Sequence, residues 1–116
     1  MKQVTSKSII TKFENISAFS GSPAECQHHL IFGNGLRDLA DTDGIWIPLT
    51  NKEHNLSSKG TIYQIHSNPA AEKLSKMLGQ MAWEKKYVID KYEMPFEGIN
   101  DEAREAFISR YGKSYL

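Results

Sequence analysis

Four histidines, confined to one third of the chain, are the residues best suited to chemistry. They are the adjacent pair His28 and His29, followed after a strand-like segment by His54 and His66. Imidazole nitrogens bind zinc, nickel and other transition metals, and three of them with one open position are typical of a catalytic metal site. A further histidine beside such a site is a natural general base, because its ordinary pKa of about 6.5 lies near working pH. The pattern favours hydrolysis of a phosphodiester by one divalent metal ion and one imidazole. Taken singly, each histidine is better explained as a surface or core residue that is hydrogen-bonded to a neighbour, and only the joint pattern favours a metal site.

Two short strands are predicted to position these histidines. The first covers residues 27–32 and ends at the glycine-rich turn 33–35, and the second covers residues 45–49. Successive side chains on a strand point to opposite faces, so the first strand must end or bulge if both members of the histidine pair serve one site. Residues 36–43 are expected to form a connecting loop, with a helical turn at residues 37–40. Thr50 or Asn51 can cap a short helix that carries His54.

Two helices are predicted in the second half of the chain. Asn68 followed by Pro69 is a strong helix start, and the apolar spacing continues to about Lys86. Gly79 within this helix suggests a close packing contact. Asn100 caps a last helix, which Gly112 can end in a left-handed conformation. The order of elements predicts a small α+β domain over residues 25–116, preceded by an N-terminal arm or strand over residues 1–24.

Size and composition narrow the class of protein. The chain has 116 residues, which fits one domain with a modest core. It has no apolar run that could span a bilayer and no apolar segment of the signal-peptide type at its start, so we expect a cytoplasmic protein. The single cysteine, Cys26, agrees with a reducing compartment and excludes a cysteine-rich zinc ribbon. Zero net charge counts mildly against nucleic-acid binding, although lysines and arginines gather in the second half among acidic neighbours.

Several short motifs within residues 25–116 resemble a known family. In chain order they are residues 28–33 (HHLIFG), 44–49 (GIWIPL), 54–55 (HN) and 65–69 (IHSNP). This arrangement resembles the HNH endonucleases, whose core is the ββα-metal fold. It is most similar to small HNH-type proteins of bacteriophages and prophages, because residues 78–80 (LGQ) and the tail 111–116 (YGKSYL) also match their pattern. The resemblance implies a ββα-metal core followed by two packing helices.

The resemblance also implies roles for individual residues. His29 corresponds to the general base that activates water, and His28, His54 and His66 correspond to ligands of a divalent ion such as Mg²⁺, Mn²⁺, Ni²⁺ or Zn²⁺. Arg37 matches a basic residue between the strands, which could hold a phosphate through two parallel hydrogen bonds; a surface arginine is an equally good interpretation. The implied partner is DNA in a bacterial host cell, with no membrane, and a homodimer would suit the cutting of both strands.

One departure from the family pattern concerns the residue that orients the base. An asparagine is usual at the start of the second strand, where this chain has Asp43, Gly44 and Ile45. We expect Asp43 to take part in catalysis by orienting an imidazole, or a backbone carbonyl to do so instead.

Three functions are compatible with these observations. The first is a metal-dependent endonuclease. The second is a catalytically inactive DNA-binding or recombination-accessory protein of the same fold, which the missing asparagine and the neutral charge favour. The third is an interaction protein whose histidines only pack or bind structural zinc, in which case metal removal would unfold it without any effect on nucleic acid.

Overall fold

A computed structural model describes residues 6–33, 35–56 and 68–116 of the chain. These residues form a two-stranded sheet followed by helices, which confirms the predicted α+β class. The elements in chain order are strand β1 (Cys26–His29), helix α1 (Leu36–Asp43), strand β2 (Trp46–Leu49), a short π-helical turn α2 (Lys52–Leu56), and helices α3 (Pro69–Tyr92) and α4 (Asp101–Tyr111).

The two strands form an antiparallel pair that places the adjacent histidines at one end. His28 lies opposite Ile47, and His29 lies opposite Trp46. Strand β1 ends at His29, three residues earlier than predicted, and Leu30 and Ile31 instead enter the core. The core side chains come from both strands, their flanks and the helices. The buried cluster contains Leu30, Ile31, Ala40, Ile45, Ile47, Leu49, Phe107 and Tyr111.

The connection between the strands is a complete helix, not the predicted loop with a single helical turn. Gly35 and Gly44 bound α1, and both adopt left-handed backbone conformations, with φ of 84° and 75°. Gly44 also has no room for a side chain, because a Cβ there would lie 2.3 Å from the carbonyl oxygen of Lys7. The two glycines allow the chain to turn sharply at each end, so the eight residues between them can complete a helix.

The N-terminal arm packs along β2, and it contains no strand within residues 6–13. The Ser8 hydroxyl donates to the Trp46 carbonyl oxygen at 2.7 Å, and the Trp46 indole N–H donates to the Ser6 carbonyl oxygen at 2.8 Å. The Ile9 N–H donates to the Gly44 carbonyl oxygen at 2.9 Å, and its side chain packs against the core. Of the two predicted alternatives, strand or extended arm, the structure therefore favours the arm.

The predicted caps of the two long helices are confirmed. The Asn68 side chain accepts from the N–H groups of Ala70 and Ala71, and the Asn100 side chain accepts from that of Ala103. Gly112 ends α4 with a φ of 92°. Helix α3 continues six residues beyond the predicted end at Lys86, because no helix-breaking residue occurs before Glu93, which ends it in a left-handed conformation. No helix among the described residues is long and apolar enough to cross a membrane.

Gly79 lies where α3 contacts the segment after β1. A Cβ at this position would lie 3.0 Å from both the Leu30 Cβ and the Ile31 Cγ1. We expect Gly79→Ala to lower the free energy of unfolding by roughly 1 kcal/mol, because overpacking of about 1–3 kcal/mol outweighs the gain of about 1 kcal/mol in helix propensity. Gly79→Leu should lower it further. Urea denaturation would measure both variants, and a more stable Gly79→Ala would contradict the close contact.

Candidate active site

The two adjacent histidines point to opposite sides of the strand pair. His28 faces α3 and α2, whereas His29 faces α1. Both are almost fully buried, with exposed fractions of 1% and 6%. The alternation of side chains along a strand explains the divergence. The structure therefore separates the pair into two neighbourhoods that meet where β1 ends.

His29 lies between a carboxylate and a guanidinium, both supplied by α1. Its Nε2 is 2.8 Å from Asp41 Oδ1, and its Nδ1 accepts from the Arg37 Nε–H at 3.4 Å. A guanidinium can only donate, so Nδ1 carries the lone pair and the Nε2–H donates to Asp41. The arrangement is that of an imidazole held in one tautomer by a carboxylate, with its basic nitrogen next to an exposed cation.

His28 is held in the same tautomer, with its proton on Nε2, by Ser75 of α3. The Ser75 hydroxyl donates its single proton to the Leu30 carbonyl oxygen at 2.8 Å, so it accepts the Nε2–H of His28, also at 2.8 Å. Nδ1 of His28 therefore carries the lone pair. In a metal-binding histidine, one ring nitrogen usually binds the metal while the other donates its proton to a neighbouring oxygen.

His54 lies beside His28, with their ring centroids 5.1 Å apart and the ring planes inclined at 60°. Metal–nitrogen bonds of about 2.0–2.1 Å and a tetrahedral angle place the centroids of two imidazoles on one ion about 5 Å apart. The spacing and the donor chemistry of this pair therefore fit a shared transition-metal ion. Within the described ranges, no three histidine, cysteine, aspartate or glutamate side chains are grouped so that they could hold a metal ion. The third expected ligand, His66, lies outside the described residues.

The turn that carries His54 is fixed by a reciprocal cap. The Thr50 hydroxyl accepts from the Glu53 N–H at 3.2 Å, and the Glu53 carboxylate accepts from the Thr50 N–H at 2.9 Å. Ser17 of the N-terminal arm donates to the same carboxylate at 2.5 Å. Burial opposes ionisation of Glu53, but the hydrogen bonds from Ser17 and Thr50 outweigh it and lower the pKa of the carboxyl. This anchor, centred on an ionised glutamate, positions α2 against the sheet.

Asp43 does not contact either histidine of the pair, which corrects the expectation that it orients an imidazole. Its carboxylate accepts two hydrogen bonds from the Arg110 guanidinium, both at 2.7 Å, one from the Tyr111 hydroxyl at 2.6 Å and one from the Trp83 indole at 3.0 Å. Burial, with the bond to Asp43, raises the pKa of Tyr111. Asp43 thus ties the end of α1 to α3 and α4, and Asp41 is the carboxylate that contacts His29.

Two residues of the site were not found from the sequence, namely Asp41 and Ser75. A signal for Asp41 was present, because aspartates at positions 38, 41 and 43 all follow the histidine pair within one helix. Ser75 gave no local signal, since it lies 47 residues from His28. Arg37, the residue for which the resemblance implies phosphate binding, is exposed on α1 and lies beside His29.

Comparisons with known proteins leave the family open. No family model, no curated protein and no solved structure matches the chain.

Proposed function

We propose that the protein is a metal-dependent endonuclease of the HNH type that hydrolyses phosphodiester bonds in DNA. The observation that carries the proposal is the Asp41–His29–Arg37 arrangement, which lies beside a pair of histidines with the spacing of shared metal ligands. Consecutive Cα atoms are only about 3.8 Å apart, so His28 and His29 belong to one end of β1 although their rings diverge. The proposal therefore places the phosphodiester at this end of β1.

In this proposal His29 is the general base. Its Nδ1 accepts the proton of the attacking water, and Asp41 stabilises the imidazolium that forms through the bond at Nε2. Arg37 is exposed and bonded to Nδ1 at a long 3.4 Å, so it can move to a phosphate oxygen when substrate enters. That movement leaves Nδ1 accessible to water.

His28 and His54, with His66 as the expected third ligand, would hold a divalent ion. When bound, the ion supplies charge neutralisation at the phosphate and stabilisation of the leaving oxygen. Ser75 orients His28, and the Thr50–Glu53 cap holds the turn that carries His54. Both described ligands are imidazoles, which favours Zn²⁺ or Ni²⁺ over Mg²⁺ and Mn²⁺ unless oxygen ligands complete the site.

The test is incubation of the purified protein with supercoiled plasmid and with labelled duplex, branched and single-stranded DNA. Mg²⁺, Mn²⁺, Ni²⁺ and Zn²⁺ are tested separately, with EDTA as the control. Metal-dependent conversion to nicked or linear DNA is expected. DNA that stays intact with all four ions would contradict the proposal.

The divergence of His28 and His29 favours a second candidate, a DNA-binding accessory protein without turnover. The rings face different helices, and a protein that only binds DNA needs no convergence of base and metal. Such a protein would retard DNA in a mobility-shift assay in a salt-dependent manner but would leave it uncut with every metal. Cleavage that a His29 variant loses would exclude this candidate.

A further inference from the structure

A second charged region lies next to His28, between the beginning of α3 and the tail after α4. It is a cleft of about 430 Å³ whose charged side chains are three lysines, Lys73, Lys76 and Lys113, and one glutamate, Glu72. The glutamate pairs with Lys76 at 3.5 Å. The side chains of the cleft therefore carry a net positive charge, although the whole chain has a net charge of zero.

Aromatic rings hold two of these ammonium groups in place. The Lys76 Nζ lies 4.8 Å from the ring centroid of Phe32 and 5.7 Å from that of Tyr115, and the Lys113 Nζ lies 5.3 Å from the Tyr115 centroid. These distances fall within the range of a cation–π contact. Lysines restrained in this way lose less side-chain entropy when they bind an anion than lysines that extend freely into solvent.

The tail that forms one wall of the cleft is fixed to the core by a buried polar side chain. The Tyr115 N–H donates to Gln80 Oε1 at 2.6 Å, and Gln80 Nε2 donates to the Ser114 hydroxyl at 3.0 Å. Gln80 is fully buried, and it also donates to the carboxylate of Glu84, which bonds Arg104. The wall is therefore built into the fold and is more than a chance contact of the last residues.

The cleft is linked to His28 through the ring of Phe32. The Phe32 ring, which contacts the Lys76 ammonium, also packs edge-on against His28 with centroids 5.6 Å apart. Lys76 follows Ser75, the residue that bonds His28. A polynucleotide backbone bound beside His28 would therefore lie close to Lys76 and to the cleft that Lys76 lines.

We infer that this cleft binds the sugar–phosphate backbone of DNA beyond the cleaved bond, with Lys73, Lys76 and Lys113 contacting consecutive phosphates. The inference rests on the proposed function, since it assumes that the occupant of the histidine site is a polynucleotide. The cleft would contact only the repeating phosphates of the DNA, so its binding would be independent of base sequence. The tail wall makes the C-terminal residues part of the substrate-binding surface.

The test measures binding of a fluorescent DNA duplex in EDTA, where no cleavage can occur, over a series of salt concentrations. Lys73→Gln and Lys113→Gln are suitable variants because both side chains are exposed and neither should affect folding. Each is expected to weaken binding several-fold and to reduce the slope of log K against log salt by about 0.9, the value for one duplex phosphate contact. Glu72→Gln should tighten binding, because it removes the opposing carboxylate. Lys85→Gln, an exposed lysine of the same helix outside the cleft, is the matched control and should leave the slope unchanged.

Equal losses in the cleft variants and in Lys85→Gln would overturn the inference, because they would indicate diffuse attraction by the whole surface. Unchanged binding in both cleft variants would overturn it as well. The result is separable from the proposed function. Cleft-dependent binding by a protein that never cuts DNA would support the cleft and refute the nuclease, whereas cleavage that does not depend on the cleft lysines would do the reverse.

Discussion

Replacement of His29 by alanine is expected to lower the single-turnover rate of metal-dependent DNA cleavage by about 10²- to 10⁴-fold, the usual contribution of a positioned general base. The imidazole is held by Asp41 at one nitrogen and presents the other to Arg37, so its loss removes the proton acceptor itself. The fold and metal binding should persist, because His28 and His54, the proposed ligands among the described residues, lie on the other side of the strand pair. Quenched-flow or manual time courses with labelled duplex would give the rate, and circular dichroism would check the fold. A folded His29→Ala that cleaves at the wild-type rate would refute the assigned role.

Two carboxylates of α1 provide a second test of this role and its matched control. Asp41→Asn should lower the cleavage rate by roughly 10- to 100-fold, since an amide can still accept the Nε2–H but cannot stabilise the imidazolium. Asp38→Asn changes an exposed carboxylate on the same helix and should leave the rate unchanged. Equal rates in the two variants would mean that the His29–Asp41 pair only stabilises the fold.

Replacement of Asp43 by alanine is expected to cause the largest loss of stability, about 2–3 kcal/mol in the free energy of unfolding. The loss comes mainly from Trp83 and Tyr111, whose donors would lose their shared acceptor in a largely buried place. The ion pair with Arg110 contributes less, because the Arg110 side chain is 36% exposed and water screens it. Urea denaturation of wild type and Asp43→Ala would measure the difference.

An exposed ion pair offers the control for Asp43. Asp90 pairs with Lys86 one turn away on α3, and both side chains are about half exposed, so Asp90→Ala should change stability by less than about 0.5 kcal/mol. At a temperature where it is folded, Asp43→Asn should cleave DNA at the wild-type rate, because Asp43 does not contact either histidine of β1. Lost activity in a folded Asp43→Asn would restore the catalytic role that the sequence suggested.

The two long helices, α3 and α4, could be predicted from the sequence because their ends carry local chemistry. Asn68, Asn100 and Gly112 act within three or four residues of their own positions, so a single chain is enough to recognise them. Gly79 is similar, because a glycine inside an apolar helical pattern has few explanations other than close packing. The strands were placed correctly but their bounds were not, since the entry of Leu30 and Ile31 into the core depends on α3.

The choice between Asp41 and Asp43 could not be made without knowing that α1 is a full helix. Residues two apart on a helix point about 200° away from each other, so only one of these carboxylates can face His29. On a loop, as predicted, either could do so. The partners of the other carboxylate, Arg110 and Tyr111, are more than 60 residues away and belong to tertiary packing. Long-range pairing of this kind, like that of His28 with Ser75, is not encoded in any local spacing.

The metal-concentration dependence of DNA cleavage, compared between wild type, His54→Ala and His29→Ala, tests the central claim most directly. If His54 is a metal ligand and His29 the base, His54→Ala should need at least tenfold more metal for half-maximal cleavage, because it loses a ligand. His29→Ala should keep the wild-type half-maximal concentration but reach a plateau lower by about 10²-fold or more. Cleavage by wild type that does not depend on metal, no cleavage at any metal concentration, or the same change in both variants would contradict the account.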